Sequence, residues 1–113
     1  MHELSIVMSI VDIAQTQVRQ AGAHQVESIE LDIGQLAGVE WTALDFAWQA
    51  GVNQTVLENA ERIVNHIPGE ARCLDCGNVF KMEALYDMCP ECGSYFSDII
   101  AGKELKVKAL TVV

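Results

Sequence analysis

A chain of 113 residues, half of them hydrophobic, is enough for one packed domain, or one domain with a small attached module, and excludes a disordered polymer. Seven Lys and Arg against sixteen Asp and Glu leave a net charge of −9, which excludes the basic face that a nucleic-acid backbone demands. No apolar run reaches the roughly 18 residues that span a bilayer, and the apolar stretch from Leu4 to Val11 lacks the basic leader and small-residue cleavage site of a signal peptide.

The first predicted element is a helix over residues 4–21. Leu4, Val7, Met8, Val11, Ala14, Val18 and Ala21 recur at steps of three and four and form one apolar face. Ile6, Ile10 and Ile13 broaden that surface, so the helix is expected to be covered on more than one side, and Gly22 is its natural stop. Val26 to Ile33 alternates Ile29, Leu31 and Ile33 with Ser28, Glu30 and Asp32, the pattern of a strand with one wet face. Gly34 and Gly38 bracket a turn. A second helix is predicted over 40–50, with Trp41, Leu44, Ala47 and Trp48 on its core side. Residues 51–60 carry no clear period. Glu61 to Ile67 reads as a strand that Pro68-Gly69 ends, and Glu104 to Val113 reads as another, with Lys103, Lys106 and Lys108 on a solvated face.

Between the last two strands lies a segment of different character. Cys73-Leu74-Asp75-Cys76 and Cys89-Pro90-Glu91-Cys92 are matched pairs, followed by Gly77 and Gly93, and the chain has no other cysteine. Two residues between cysteines let both sulfurs of a tight turn face one ion, and two such turns close a tetrahedral four-sulfur site suited to structural Zn(II). Four thiolates also suit iron in a rubredoxin-like site. A redox pair or disulfides fit less well, because Pro90 and the glycines favour turns over the helix start that a redox Cys-x-x-Cys opens. Val79 and Phe80 suit a short hairpin between the pairs.

The order helix, strand, helix, strand, cysteine module, strand predicts an α/β (α+β-like) fold. A small mixed sheet of about three strands is packed with two helices, and a zinc-ribbon-like module is inserted in it. The expected division is residues 1–69 and 98–113 for the α/β domain and 70–97 for the module. A thiol quartet without an export signal points to the cytoplasm.

Met1-His2-Glu3 is a second constellation. The amine of Met1, the amide nitrogen of His2 and its imidazole can form fused chelate rings, with a further amide nitrogen or the Glu3 carboxylate as another ligand. Nitrogen-rich square-planar sets suit Ni(II) and Cu(II). The plainer alternative is a polar residue ahead of a helix, with Glu3 favoured by the helix dipole. His24 falls in a loop and His66 on a strand, where solvation accounts for both.

Taken together, Met1-His2-Glu3, the helix opening Leu4-Ser5-Ile6, the strand ending Leu31-Asp32-Ile33-Gly34, the Val39-Glu40 helix start and the paired Cys-x-x-Cys module resemble the HypA/HybF family. The likeness covers the whole chain in order and spacing. It implies a nickel metallochaperone, not an enzyme, that binds Ni(II) transiently and serves [NiFe]-hydrogenase maturation. It implies that His2 is the essential nickel ligand, assisted by Met1 and Glu3, and that Cys73, Cys76, Cys89 and Cys92 hold Zn(II). The implied partners are the GTPase HypB and the hydrogenase large-subunit precursor, and in some bacteria urease maturation factors. Some members carry histidines beside the zinc cysteines, whereas residues 70–97 here contain none. Two rival readings stand beside this one: a zinc-ribbon interaction module without nickel delivery, and a rubredoxin-like iron electron carrier.

Overall fold

The computed structural model of the chain describes residues 2–113. Its elements are α1 (Glu3–Gln20), β1 (Val26–Gly34), α2 (Trp41–Gly51), β2 (Glu61–Ile67), β3 (Glu70–Cys73), β4 (Val79–Lys81), β5 (Ser97–Ala101) and β6 (Leu105–Val112). They form two three-stranded sheets, ordered β2-β1-β6 and β4-β3-β5. The expected α/β fold with its cysteine module is present, and the module contains a sheet of its own. The chain divides into two compact units. One comprises residues up to Leu31, Val39–Val64 and Val107–Val113, and the other Asp32–Gly38 and Asn65–Lys106.

In the first unit, α1 ends as its sequence dictates. Gly22 adopts φ +64°, the left-handed turn that glycine tolerates best. The Ala23 N–H then reaches Val18 O (3.0 Å) and the Gly22 N–H reaches Arg19 O (3.2 Å), the paired bonds of a Schellman stop. The buried face is Glu3, Val7, Ile10, Val11, Ala14 and Val18. It is rotated from the predicted stripe, since Ile10 joins it while Leu4 (53% exposed), Met8 and Ile13 remain at the surface. The reason is the approach of α2. A Cβ on Gly51 would lie 2.7 Å from Val7 Cγ1, and 3.5 Å from both Leu4 Cδ1 and Met8 Sδ. Val7 therefore sits at the contact, while Leu4 and Met8 form its shoulders.

The start of α2 is set by Glu40, whose carboxylate accepts from the Thr42 N–H (3.2 Å) and the Ala43 N–H (2.7 Å). These are two of the donors that a helix leaves without an internal partner. Leu44, Ala47 and Trp48 are buried as expected. The Arg62 guanidinium lies 5.2 Å from the centroid of the Trp48 ring and bonds Asp45 at 2.6 Å. The unassigned residues 52–60 resolve into successive turns, closed by Thr55 N–H to Val52 O and Ala60 N–H to Leu57 O (both 3.1 Å). Leu57 is fully buried there.

β1 is the central strand, and its Ile29, Leu31 and Ile33 are essentially inaccessible. Val113 and Gln25 exchange backbone bonds at one end, and Gly34 N–H donates to Glu104 O (2.7 Å) at the other, so β6 runs antiparallel to β1. Val26 N–H to Val56 O and Gln35 N–H to Ile67 O place β2 alongside in the same direction, which makes the sheet mixed. The predicted lysine face holds: Lys103, Lys106 and Lys108 are exposed on and beside edge strand β6.

In the second unit, β3 pairs antiparallel with β4 (Ala71 opposite Phe80) and with β5 (Ala71 opposite Ile99). β5 has no clear signal in the sequence, because Ile99 and Ile100 stand side by side where alternation would mark a strand. The core is Leu36, Ala71, Cys73, Phe80, Met82 and Cys89, with Ile99 against it. Leu36 enters this core from the turn after β1. Backbones meet closely around it: a Cβ on Gly34 would fall on the Gly102 carbonyl, and one on Gly69 on the Met82 carbonyl. Among the described residues no helix is long and apolar enough to cross a membrane.

Candidate metal centres

Each cysteine pair folds into the same small loop. In the first, the Cys73 N–H donates to Asn78 O (2.8 Å) and the Gly77 N–H to Cys73 O (2.9 Å). In the second, the Cys89 N–H donates to Ser94 O and the Gly93 N–H to Cys89 O, both at 2.8 Å. Both turns need a residue in the left-handed region, and glycine supplies it at Gly77 (φ +78°) and Gly93 (φ +73°). The sequence therefore builds one knuckle twice, and the sheet brings the two together. Leu74 N–H donates to Phe96 O (2.8 Å), and the Ser94 hydroxyl bonds the Asp75 carboxylate across the gap.

The four sulfurs of Cys73, Cys76, Cys89 and Cys92 all lie within 4.8 Å of one another, the one such cluster of metal-ligating groups among the described residues. Cys73 and Cys92 are 3.5 Å apart and Cys76 and Cys89 3.6 Å. A tetrahedral ion with metal–sulfur bonds of about 2.3 Å sets its sulfurs about 3.8 Å apart, so the cage fits a zinc-sized ion. Cys73 and Cys89 are buried, while Cys76 and Cys92 face solvent.

Crowding makes these thiols unequal. For Cys89, burial raises the pKa, but the N–H groups of Cys92 and Glu91 and the Asn78 amide outweigh it and bring it down to about 6. Cys73 is also lowered, chiefly by the Cys76 N–H. For Cys76 the Asn78 N–H lowers the pKa, yet the water displaced from its sulfur by the cluster and the other three sulfurs push it up to about 12. Cys92 is raised as well: the Ser94 N–H lowers it, but the Cys73 sulfur and the same loss of water prevail. Two sulfurs ionise readily and two resist, because four negative charges cannot share this volume unaided. A divalent cation removes the conflict and lets all four bind as thiolates.

The N-terminal constellation is built differently. His2 is exposed and occupies the cap position of α1, its carbonyl accepting from the Ile6 N–H (3.1 Å). Glu3 is the only charged side chain buried among the described residues, with 7% of its surface exposed. One of its carboxylate oxygens accepts from the Glu40 N–H at 3.2 Å, which ties the first turn of α1 to the start of α2. Burial pushes the Glu3 pKa up, but the Glu40 N–H, its own N–H and the nearby charge of His2 overcome this and hold it below the usual carboxylate range. Met1 lies outside the described residues. His24 and His66 are exposed, on a loop and on β2. The buried role of Glu3 was hidden in sequence; the signal that could have found it is Glu40 directly before the helix-opening Trp41, a helix start with donors to share.

Residues 1–112 match the family model described as "Hydrogenase/urease nickel incorporation, metallochaperone, hypA". A hydrogenase maturation factor HypA of Parabacteroides distasonis is 46% identical over 112 residues, covering 99% of this chain and 97% of the relative. One of Geotalea daltonii is 44% identical over 113 residues, covering all of both. The solution structure of the Ni metallochaperone HypA from Helicobacter pylori shares the fold with a TM-score of 0.71 at 26% identity, across 100% of this chain and 98% of that one. Agreement along the full length, in sequence and in fold, shows that the chain belongs to the HypA family of hydrogenase and urease nickel-incorporation metallochaperones.

Proposed function

We propose that this protein takes up Ni(II) as cargo at its N-terminus and passes it on for the maturation of [NiFe]-hydrogenase, while Cys73, Cys76, Cys89 and Cys92 hold a resident Zn(II). The observation that carries this reading is an exposed His2 beside an anchored Glu3, at the head of a chain whose family incorporates nickel. The His2 imidazole is the principal nickel ligand. The Met1 amine and the His2 amide nitrogen complete fused chelate rings, and Glu3 offers its amide nitrogen, its carboxylate being engaged by α2. Ligands at an exposed chain end can be approached by a receiving protein and exchanged one at a time, as delivery requires.

The zinc, when bound, supplies charge compensation and cross-linking. Four thiolates fill its coordination, so it has no open position for a water or a substrate, and the protein acts by binding and not by catalysis. The partners we assign are the GTPase HypB and the hydrogenase large-subunit precursor, with urease maturation factors as further recipients. We assign this work to the cytoplasm, a compartment that four free, clustered thiols support.

The test is a Ni(II) titration of protein with its native N-terminus, set against His2→Ala, with zinc quantified in both. His2→Ala should bind nickel at least about tenfold more weakly, as loss of a metal-site partner typically does, with one zinc retained per chain. Equal nickel affinity in the two proteins would remove the delivery reading and leave a zinc-ribbon interaction module. Red protein with stoichiometric iron would support the electron carrier instead.

A further inference from the structure

The two knuckles are near copies, but the residue that follows the glycine differs, Asn78 in the first and Ser94 in the second. Each reaches across to the other knuckle. The Ser94 hydroxyl bonds Asp75, and the Asn78 side-chain nitrogen lies 3.7 Å from the Cys89 sulfur. Asn78 also accepts the Cys73 N–H at its carbonyl and directs its own N–H at Cys76. One residue thus contacts a ligand on each side of the cluster and is the only one whose side-chain amide bonds a sulfur among the described residues. A metal-bound thiolate has no proton to give, so the carboxamide must present its N–H side to Cys89.

We propose that Asn78 is a positioning residue for the four-cysteine metal centre, its side-chain amide crossing from the first knuckle to hold the Cys89 sulfur of the second. The inference rests on the reading of that cluster as a zinc site. An N–H directed at a thiolate withdraws electron density from the sulfur and fixes its direction, which slows the departure of the ion. Cys89 is buried and therefore deprived of water as an alternative donor, and once the neighbouring Cys76 sulfur is ionised by a shared cation it has no proton to give, which leaves the Asn78 amide as the side-chain donor to Cys89.

The test uses the full chain and two variants, Asn78→Ala, which removes the amide, and Asn78→Asp, which keeps the shape but has no N–H. Zinc loss to a chromophoric chelator and the sulfur-to-metal charge-transfer band of the Co(II)-substituted protein are measured for all three. Both variants should lose zinc about tenfold faster, and both charge-transfer bands should move to lower energy, because an unbonded sulfur gives up an electron more easily. A merely structural role would leave the band in place. Wild-type rates with an unshifted band in both variants would overturn the role of Asn78 alone. A wild-type protein that binds neither zinc nor Co(II) at the cysteines would overturn the zinc reading and this inference together.

Discussion

Glu3 shows how much one buried side chain can fix about the start of its own helix. Its carboxylate is buried and accepts the Glu40 N–H, so the residue next to His2 is held while His2 stays exposed. Glu3→Ala should lower the thermal midpoint and loosen the first turn of α1. Glu3→Gln, which keeps an oxygen acceptor but loses the charge, should fall between it and the wild type. The pH dependence has a definite sign. The pKa of Glu3 is lowered in the fold, so its contribution is fully present above the ordinary carboxylate range and is lost as pH falls through the folded pKa. The stability gap between wild type and Glu3→Gln should therefore narrow on acidification. Urea unfolding at a series of pH values measures it, and a gap that widens toward acid would show that the buried carboxylate is not ionised.

At the scale of elements, the glycines of the second unit separate two kinds of constraint. Gly38 has φ +77° but open space where a Cβ would go, whereas a Cβ on Gly34 would fall on the Gly102 carbonyl. The backbone penalty alone is about 1–2 kcal/mol for an L-residue in the left-handed region. Intrusion into fixed main chain costs about 1–3 kcal/mol or more, because Gly34 is held in β1 and the Gly102 carbonyl already accepts the Leu36 N–H. Gly34→Ala should thus destabilise more than Gly38→Ala in chemical denaturation, and the reverse order would refute the close contact. The end of α1 is more legible in the sequence than its face. Gly22 marks a stop by local geometry alone, but the displacement of Leu4 and Met8 toward solvent follows from where α2 crosses, at Gly51.

For the molecule as a whole, the second unit is small, with a buried core of six residues that includes two of the cysteines, Cys73 and Cys89. A core of this size gives little stability by itself, and cross-linking by a metal is the usual remedy. Removal of the metal we propose for the four cysteines should abolish amide-exchange protection in β3, β4 and β5 while α1 and β1 keep theirs, whose core of Val7, Ala14, Ile29 and Leu31 contains no ligand. Equal loss in both sets, or none in either, would contradict that division of labour. Acid should have the same selective effect, since protonated thiols release the ion.

Some of this was settled by sequence. The cysteine spacing and its glycines define the knuckles through local dihedral requirements, and the alternation of Ile29, Leu31 and Ile33 defines the central strand, because both signals span only a few neighbouring residues. The family follows from Met1-His2-Glu3 read together with those cysteines. Other features needed the tertiary structure. Leu36 sits in the cysteine core though it is far from it in the chain, β5 acquires its alternation only by pairing with β3, and Glu3 turns inward only because the start of α2 offers it a donor. Each depends on partners distant in sequence, and no local pattern encodes which distant group will be there to satisfy a buried charge or complete a core.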